Sequence, residues 1–160
     1  MFTSYVFKDI VVTGRQRGEL SSLSTIFLPR GSLDAWIFPH AGGPTNVYLS
    51  WKLRYEAAID VSKALTYLHQ YCCPPILHFD IKPENILIDE KFRIVLSDFG
   101  FSEFKSEDDG RVIRTEIRGT AGYRAPEWLT STGISEKTDM FSYGKVLLDL
   151  FFGQRLVCLD

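Results

Sequence analysis

Two short apolar runs on either side of a polar turn constrain the fold of this sequence more than any other feature. The turn Asp-Glu-Lys at 89–91 separates Ile-Leu-Ile at 86–88 from Phe-Arg-Ile-Val-Leu at 92–96. Apolar runs arranged in this way predict a β-hairpin. Asn85 stands directly before the first run and Asp98 follows the second, so the hairpin would bring both side chains to adjacent ends of two paired strands.

The predicted hairpin lies among three polar motifs. Residues 78–85 read His-Phe-Asp-Ile-Lys-Pro-Glu-Asn, residues 98–100 read Asp-Phe-Gly, and residues 118–127 read Arg-Gly-Thr-Ala-Gly-Tyr-Arg-Ala-Pro-Glu. In this order and spacing they resemble the catalytic loop, the metal-binding Asp-Phe-Gly and the Ala-Pro-Glu segment of eukaryotic protein kinases. One motif alone would be a weak signal, but three in the right order are specific. The resemblance covers residues 23–160, a stretch equivalent to about half of a kinase domain.

The resemblance implies the chemistry of phosphoryl transfer. This reaction needs positioning, charge neutralisation and a group that takes the substrate proton. By resemblance, Asp80 accepts the proton of the substrate hydroxyl and Lys82 offsets charge on the transferred phosphate of ATP. Asn85 and Asp98 would bind Mg²⁺, a hard cation that prefers oxygen ligands.

The resemblance also assigns residues around the reacting groups. The backbone of Ile26 and Leu28 would face the adenine edge of ATP, and Leu87 would lie under the adenine ring. The assigned supporting residues are the hydrophobic-stack members His78 and Phe99, the loop-holding Asp139, and the activation-loop and substrate-loop positions Gly100, Thr115, Thr120 and Glu127. Ordinary core packing is the alternative reading of the stack members and of Leu87.

Details of the motifs narrow the class of kinase. Lys82, followed by Pro-Glu-Asn, and Thr120 resemble the serine/threonine class. Phe79 stands where many kinases have Arg, and a His-Phe-Asp loop of this non-Arg-Asp type is typical of plant receptor-like kinases. Since that Arg normally pairs with a phosphate on the activation loop, phosphorylation of Thr115 or Ser106 is not expected to act through such an ion pair.

Helices and short strands are predicted elsewhere. Residues 51–71 carry apolar side chains at spacings of three and four, which predicts a core helix, and the following Cys-Cys-Pro-Pro would end it. A second helix is predicted over 137–152, with Gly153 as its C-cap. Short strands are predicted at 5–7 and 10–12.

These elements predict an α+β fold that is mainly α. We expect the large C-terminal lobe of a kinase with a short β-hairpin at the site, and a small lobe that is largely absent. Ser32 is a candidate N-cap for a short helix, and the polar stretch 100–118 is expected to be a mobile loop. Residues 1–22 are unassigned, and we expect residues 23–160 to form a partial kinase domain, truncated at both ends relative to the family that it resembles.

Several kinase elements do not occur in the sequence. There is no glycine-rich phosphate loop and no lysine that anchors ATP, because Lys8 lies only 17 positions before the hinge-like segment that starts near Thr25. The C-terminal helices that normally pair an Arg with Glu127 are also absent, so we expect an unpaired Glu127 and an exposed face on the second helix.

These absences leave three hypotheses open. The first is a protein serine/threonine kinase. We expect the kinase activity of these 160 residues by themselves to be weak or absent. The second is a kinase-derived, non-catalytic fragment that binds a full-length receptor-like kinase or its substrate. The third is a degenerate remnant that barely folds.

Composition excludes other classes of function. The net charge of −2 gives no footprint for nucleic acid. The apolar runs are too short to span a membrane, and the N-terminus does not read as a signal peptide. Three cysteines without metal-ligand spacing fit reduced thiols. We therefore expect a cytoplasmic protein, at the cytoplasmic face of the plasma membrane if it belongs to a receptor-like kinase. The kinase resemblance implies that its substrates are proteins.

Overall fold

The computed structural model describes residues 5–7, 10–12, 28, 30–38, 49–105, 117–129 and 134–156, with only the backbone described for the first two ranges. The strands are β1 (Tyr5–Phe7), β2 (Ile10–Val12), β3 (Ile76–Leu77), β4 (Ile86–Ile88), β5 (Ile94–Leu96) and β6 (Glu103–Phe104). The helices are α1 (Asp34–Ile37), α2 (Trp51–Thr66) and α3 (Glu136–Phe152). Three antiparallel pairs, β1–β2, β3–β6 and β4–β5, form the sheets. The mainly helical fold with short strands confirms the predicted class.

Helix α2 is the first long element of the core. Its N-cap is Ser50, whose side chain accepts a hydrogen bond from the backbone N–H of Leu53, which satisfies one of the N–H groups that a helix start leaves open. Its inward face is apolar and buried (Ala57, Val61, Ala64 and Leu65). A π-helical turn, Tyr67–Tyr71, continues the helix, so the predicted helix over 51–71 and its end before the prolines are confirmed.

Helix α3 packs against α2 and carries buried polar residues. Ser135 caps its start. Gly153, with φ of 65°, ends it in the left-handed conformation, and this C-cap was predicted. The Tyr143 hydroxyl donates to the carbonyl of Ala58 across the α2–α3 contact. The opposite face of α3 exposes six large apolar side chains: Met140, Phe141, Leu147, Leu148, Phe151 and Phe152. This exposed face is the one that the sequence predicts.

The β4–β5 hairpin has the predicted register. Ile86 faces Leu96 and Ile88 faces Ile94, and all four side chains are buried in the main core. The second strand begins at Ile94 rather than at Phe92, because Phe92 adopts a φ of 62° in the turn. The register places Asn85 directly before one strand, and Asp98 is the second residue beyond the end of the other.

The structure also differs from the sequence predictions at Ser32 and at the start of the 100–118 stretch. Ser32 does not cap α1: the N-cap position is Leu33, without a side-chain hydrogen bond, because Ser32 forms a β-bridge with Leu87. The start of the expected loop at 100–118 is regular, since Phe99–Phe101 form a 3₁₀ turn and β6 pairs with β3.

Some predicted positions lie outside the described residues, namely Ile26, Ser106 and Thr115. No helix within the described part of the chain combines the length and apolar character needed to cross a membrane.

Candidate active site

The Asp80 carboxylate is the centre of the site. Asp80 is only 3% exposed, and three side chains contact its two carboxylate oxygens. Asn85 Nδ2 donates to Oδ2 at 2.9 Å, Lys82 Nζ lies 2.9 Å from the same oxygen, and the Thr120 hydroxyl donates to Oδ1 at 2.7 Å. A buried carboxylate needs such partners, because an isolated buried charge is strongly unfavourable.

Lys82 and Thr120 also contact each other. The Lys82 ammonium donates to Thr120 Oγ1 at 2.7 Å, so one lysine bridges the carboxylate and the hydroxyl. The two residues come from segments 38 positions apart in the sequence. These contacts therefore connect the Ala-Pro-Glu segment, residues 118–127, to the loop that carries Asp80.

The Asp139 carboxylate on helix α3 holds the backbone of the loop that precedes Asp80. Asp139 is completely buried, and its Oδ2 and Oδ1 accept the backbone N–H groups of His78 and Phe79, each at 2.8 Å. His69 Nε2, at the end of the α2 extension, lies 2.9 Å from Oδ2. The left-handed backbone of Phe79, with φ of 67°, is unfavourable for a bulky residue, and these bonds stabilise it.

His78 supports the loop as a neutral ring. Its Nε2 lies 3.0 Å from the carbonyl of Ser97; since a carbonyl only accepts, Nε2 carries the proton. Nδ1 is then free to accept the backbone N–H of Asp80 at 3.3 Å. The ring packs on Phe99, with 4.6 Å between ring centroids. Burial lowers the pKa of His78, although the nearby carboxylates, chiefly Asp139, act in the opposite direction.

A loss of stability in mild acid is the expected consequence. The folded-state pKa of His78 lies below its unfolded value, so the unfolded chain takes up the proton first. This contribution to stability is present above about pH 6.5 and is lost as the pH falls from there toward the folded pKa. The slope is at most about 1.4 kcal/mol per pH unit for one proton, and protonated Nδ1 would oppose the N–H of Asp80.

Urea unfolding between pH 7.5 and 5 measures this effect. The matched variant His78→Phe retains a ring against Phe99 and removes the titrating group. It is expected to be less stable at every pH but to show a shallower dependence on pH in this window. Equal slopes for the two proteins would contradict the role given to His78.

The hairpin ends supply oxygen donors for a cation. Asn85 is buried and its side-chain amide nitrogen is hydrogen-bonded to Asp80. The amide oxygen is therefore the atom that can coordinate a cation. Asp98 is exposed in a left-handed turn with φ of 57°, and its Oδ1 accepts the N–H of Gly100 at 3.3 Å. Carboxylate and amide oxygens fit Mg²⁺. Among the described residues no group of three His, Cys, Asp or Glu side chains forms a metal site.

The remaining predicted positions have contacts of their own. Leu87 is half-buried and its backbone bridges to Ser32, while Leu28 is half-buried and its carbonyl accepts the N–H of Gly31. Glu127 is half-buried and accepts a hydrogen bond from Thr138 Oγ1 at 3.2 Å. The expectation of an unpaired acidic side chain in the core is therefore wrong.

A partly buried cluster of polar side chains around Tyr123 was not predicted. The Tyr123 hydroxyl donates to Asp149 at 2.5 Å, and Arg155 pairs with Glu84, the residue before Asn85. The pKa of Tyr123 is raised above its usual value. Burial is the largest cause, and the hydrogen bond to Asp149 acts in the same direction. Asp149 is an acidic residue on an apolar stretch of α3, which is the sequence signal that could have indicated a buried partner.

The fold and these side chains define a class of protein. A helical lobe that carries a buried Asp-Lys-Asn loop beside an Asp-Phe-Gly turn is characteristic of protein kinases. The family model for the protein kinase domain matches residues 24–159. The chain belongs to the protein kinase family.

Curated relatives from Arabidopsis thaliana agree with this membership. The chain is 54% identical over 134 residues to a probable receptor-like protein kinase, with 82% of this chain and 29% of that protein covered. It is 47% identical over 129 residues to a G-type lectin S-receptor-like serine/threonine-protein kinase, with 81% and 15% covered. A second probable receptor-like protein kinase is 51% identical over 112 residues, with 68% and 17% covered. The chain thus spans less than a third of the length of these relatives.

Proposed function

We propose that this chain carries the catalytic half of a protein serine/threonine kinase that transfers the γ-phosphate of ATP to hydroxyl groups of protein substrates. The observation that carries the proposal is the Asp80 carboxylate, held by Asn85, Lys82 and Thr120. A buried carboxylate with fixed donors is suited to receive a proton at a defined place. Kinship with receptor-like kinases supports a site of action on the cytoplasmic face of the plasma membrane.

The contact between Asp80 and Thr120 supports a hydroxyl substrate. Thr120 presents an aliphatic hydroxyl to Oδ1 at 2.7 Å, which is the hydrogen bond that a serine or threonine substrate would make with the same carboxylate. In the proposed reaction Asp80 accepts the proton of the substrate hydroxyl as the new oxygen–phosphorus bond forms and the bond from the γ-phosphorus to its bridging oxygen breaks, with ADP as the leaving group. Lys82, 2.9 Å from Asp80, would offset negative charge on the transferred group.

Asn85 and Asp98 are the residues that would hold Mg²⁺. When bound, the cation would neutralise charge on the phosphates of ATP. Asn85 is rigid, since its carbonyl accepts both the backbone N–H and the hydroxyl of Ser97. Asp98 is more exposed, but the N–H of Gly100 orients it.

We propose further that the 160-residue polypeptide by itself transfers phosphate weakly or not at all. These residues contain no glycine-rich loop and no Val-Ala-x-Lys motif, and in this reaction positioning of the phosphates supplies much of the rate enhancement. Elements provided by other parts of a kinase domain would restore it. The same absence supports the alternative, a non-catalytic fragment that acts by binding a full-length receptor-like kinase.

Thermal or urea unfolding with and without Mg²⁺-ATP tests nucleotide binding. A ligand that binds only the folded chain, at a concentration tenfold above its Kd, stabilises it by about 1.4 kcal/mol. The variant Asp98→Asn is expected to lose the Mg²⁺-dependent part of the stabilisation by ATP, because the substitution removes a negative charge. It retains the size of the side chain. Asp60→Asn, a change on α2 at a residue paired with Lys63, is the matched control.

Each outcome decides between the proposals. A Mg²⁺-dependent shift that Asp98→Asn removes supports the ATP site, and no shift at any nucleotide concentration contradicts nucleotide binding by this chain. The wild-type polypeptide is expected to incorporate phosphate into a generic protein substrate at a rate close to that of the Asp80→Asn variant. Robust incorporation that Asp80→Asn abolishes would support the kinase and overturn the proposed weak activity of these residues alone.

A further inference from the structure

Arg30 connects two parts of the chain that are 60 positions apart in the sequence. Its Nε donates a hydrogen bond to the carbonyl of Glu90 at 3.2 Å, and its guanidinium carbon lies 3.8 Å from the centroid of the Phe92 ring. A guanidinium over the face of an aromatic ring is attracted by the charge distribution of the ring. Both contacts are made with the turn of the β4–β5 hairpin.

Trp36, on α1, completes a cluster with Arg30 and Phe92. The indole N–H of Trp36 donates to the Arg30 carbonyl at 2.8 Å. The rings of Trp36 and Phe92 meet edge to face, with 5.8 Å between their centroids and 75° between their planes, a favoured aromatic geometry. Each of the three residues contacts the other two, and all three are half-buried. These three residues are called the Arg30 cluster below.

The stretch that begins at Arg30 and runs to Leu33 pairs with β4 through its backbone. The N–H of Ile88 donates to the Gly31 carbonyl at 2.9 Å, and the N–H of Leu33 donates to the Ile86 carbonyl at 2.7 Å. A pairing as short as this is marginally stable without side-chain contacts. The Arg30 cluster supplies such contacts directly beyond the hydrogen bond at Gly31.

Two positions assigned to the adenine of ATP by resemblance belong to opposite sides of this pairing. Leu28 lies before the stretch 30–33, and its carbonyl accepts the N–H of Gly31 at 3.1 Å. Leu87 lies in β4, and Asn85, a proposed Mg²⁺ ligand, directly precedes that strand. A shift of the stretch relative to β4 would therefore change the separation between the two halves of the proposed nucleotide site and leave the metal half as it is.

We propose that Arg30 is a positioning residue for the nucleotide: through Phe92 and Trp36 it fastens the stretch 30–33 to the hairpin, and so sets the separation between the adenine half and the metal half of the site. The effect on the nucleotide rests on the proposed function. The attachment of the stretch to the hairpin does not, and it can be measured without nucleotide.

Native-state hydrogen exchange tests the attachment. The backbone N–H groups of Leu33 and Ile88 report on it, because their hydrogen bonds join the stretch to β4. In Arg30→Leu, which retains an apolar side chain but loses the guanidinium, their exchange is expected to rise about tenfold or more through local opening. The N–H of Ser97, bonded to the Asn85 carbonyl within the hairpin, and amides in the middle of α2 are expected to change less.

Three further variants test whether the effect belongs to the Arg30 cluster. Phe92→Leu is expected to raise the exchange of the same two amides. The double variant of Arg30 and Phe92 should exceed either single variant by less than the product of their effects, because both substitutions remove one contact. Lys91→Leu removes an exposed cation from the same turn and is expected to leave these amides unchanged.

Equilibrium binding of two probes separates positioning from a general weakening of the site. Mg²⁺-ATP would contact both halves of the site, whereas Mg²⁺-tripolyphosphate would contact the metal half alone. In Arg30→Leu the Kd of Mg²⁺-ATP is expected to rise about tenfold, because linked contacts strengthen binding only where both can be made at once. The Kd of Mg²⁺-tripolyphosphate is expected to stay the same.

Four results would overturn the proposal. The first is unchanged exchange of the Leu33 and Ile88 amides in Arg30→Leu, and the second is an equal rise at these amides and in α2. The third is an effect of Lys91→Leu as large as that of Arg30→Leu. The fourth is an equal weakening of both probes, which would show that Arg30 only stabilises the hairpin. A wild-type chain that binds neither probe would count against the proposed function, and the exchange result would still decide the attachment.

Discussion

Replacing Asp139 with alanine is expected to lower the free energy of unfolding by roughly 3–5 kcal/mol. The substitution leaves the backbone N–H groups of His78 and Phe79 buried without their acceptor, and it removes the partner of His69. Each unsatisfied buried donor is costly. The left-handed backbone of Phe79 also loses the bond that stabilises it. Urea unfolding followed by far-UV circular dichroism measures the change.

Two variants calibrate the Asp139→Ala result. Asp139→Asn retains one acceptor oxygen and is expected to lose less, since one of the two N–H groups is still satisfied. Asp60→Ala removes an acid on α2 that is paired with Lys63 at 3.0 Å, and is expected to change stability by no more than about 0.5 kcal/mol. A loss in Asp139→Ala no larger than in Asp60→Ala would show that the loop is held in another way.

Gly119→Ala is expected to destabilise the protein by roughly 2–4 kcal/mol. Gly119 has φ of 86°, a conformation that an L-residue with a Cβ rarely adopts. The new methyl group would also lie 2.6 Å from the Phe79 carbonyl oxygen, and backbone is less able to move away than a flexible side chain. The segment must therefore shift, and the hydrogen bond between Thr120 and Asp80 is expected to weaken with it.

Gly144→Ala is the matched control, and its effect is expected to have the opposite sign. Gly144 lies inside α3, and apart from its chain neighbours and the backbone of its own helix no heavy atom lies within 4 Å of a Cβ built there. Because glycine is a poor helix former, alanine is expected to stabilise the chain by about 0.5–1 kcal/mol. The two variants are compared by urea unfolding under the same conditions. A similar change in both would contradict the close contact at Phe79.

The helices and the hairpin could be predicted because their signals are local. Ser50 and Gly153 are cap residues at the ends of periodic apolar patterns, and the turn at 89–91 separates two runs of the correct length for strands. The placement of Asn85 and Asp98 at adjacent strand ends follows from that hairpin alone. Their proximity needed no knowledge of the tertiary packing.

Other features could not be predicted because their signals are distant in sequence. The strands β3 and β6 have two residues each, too few to show an alternating pattern. His69 and Asp139 are 70 positions apart, and Tyr123 and Asp149 are 26 apart. Ser32 has the composition of a cap, yet its backbone pairs with Leu87, so tertiary pairing outweighs the local preference.

The hydrogen bonds around Asp80 have a consequence for the energetics of the proposed proton transfer. In bulk water, solvent dipoles must turn when charge appears or disappears on a carboxylate, and this reorganisation adds to the barrier. Here the donors of Asn85, Lys82 and Thr120 are oriented when the chain folds. The cost of ordering those dipoles is thus contained in the stability of the folded chain, and little reorganisation energy is left for the chemical step.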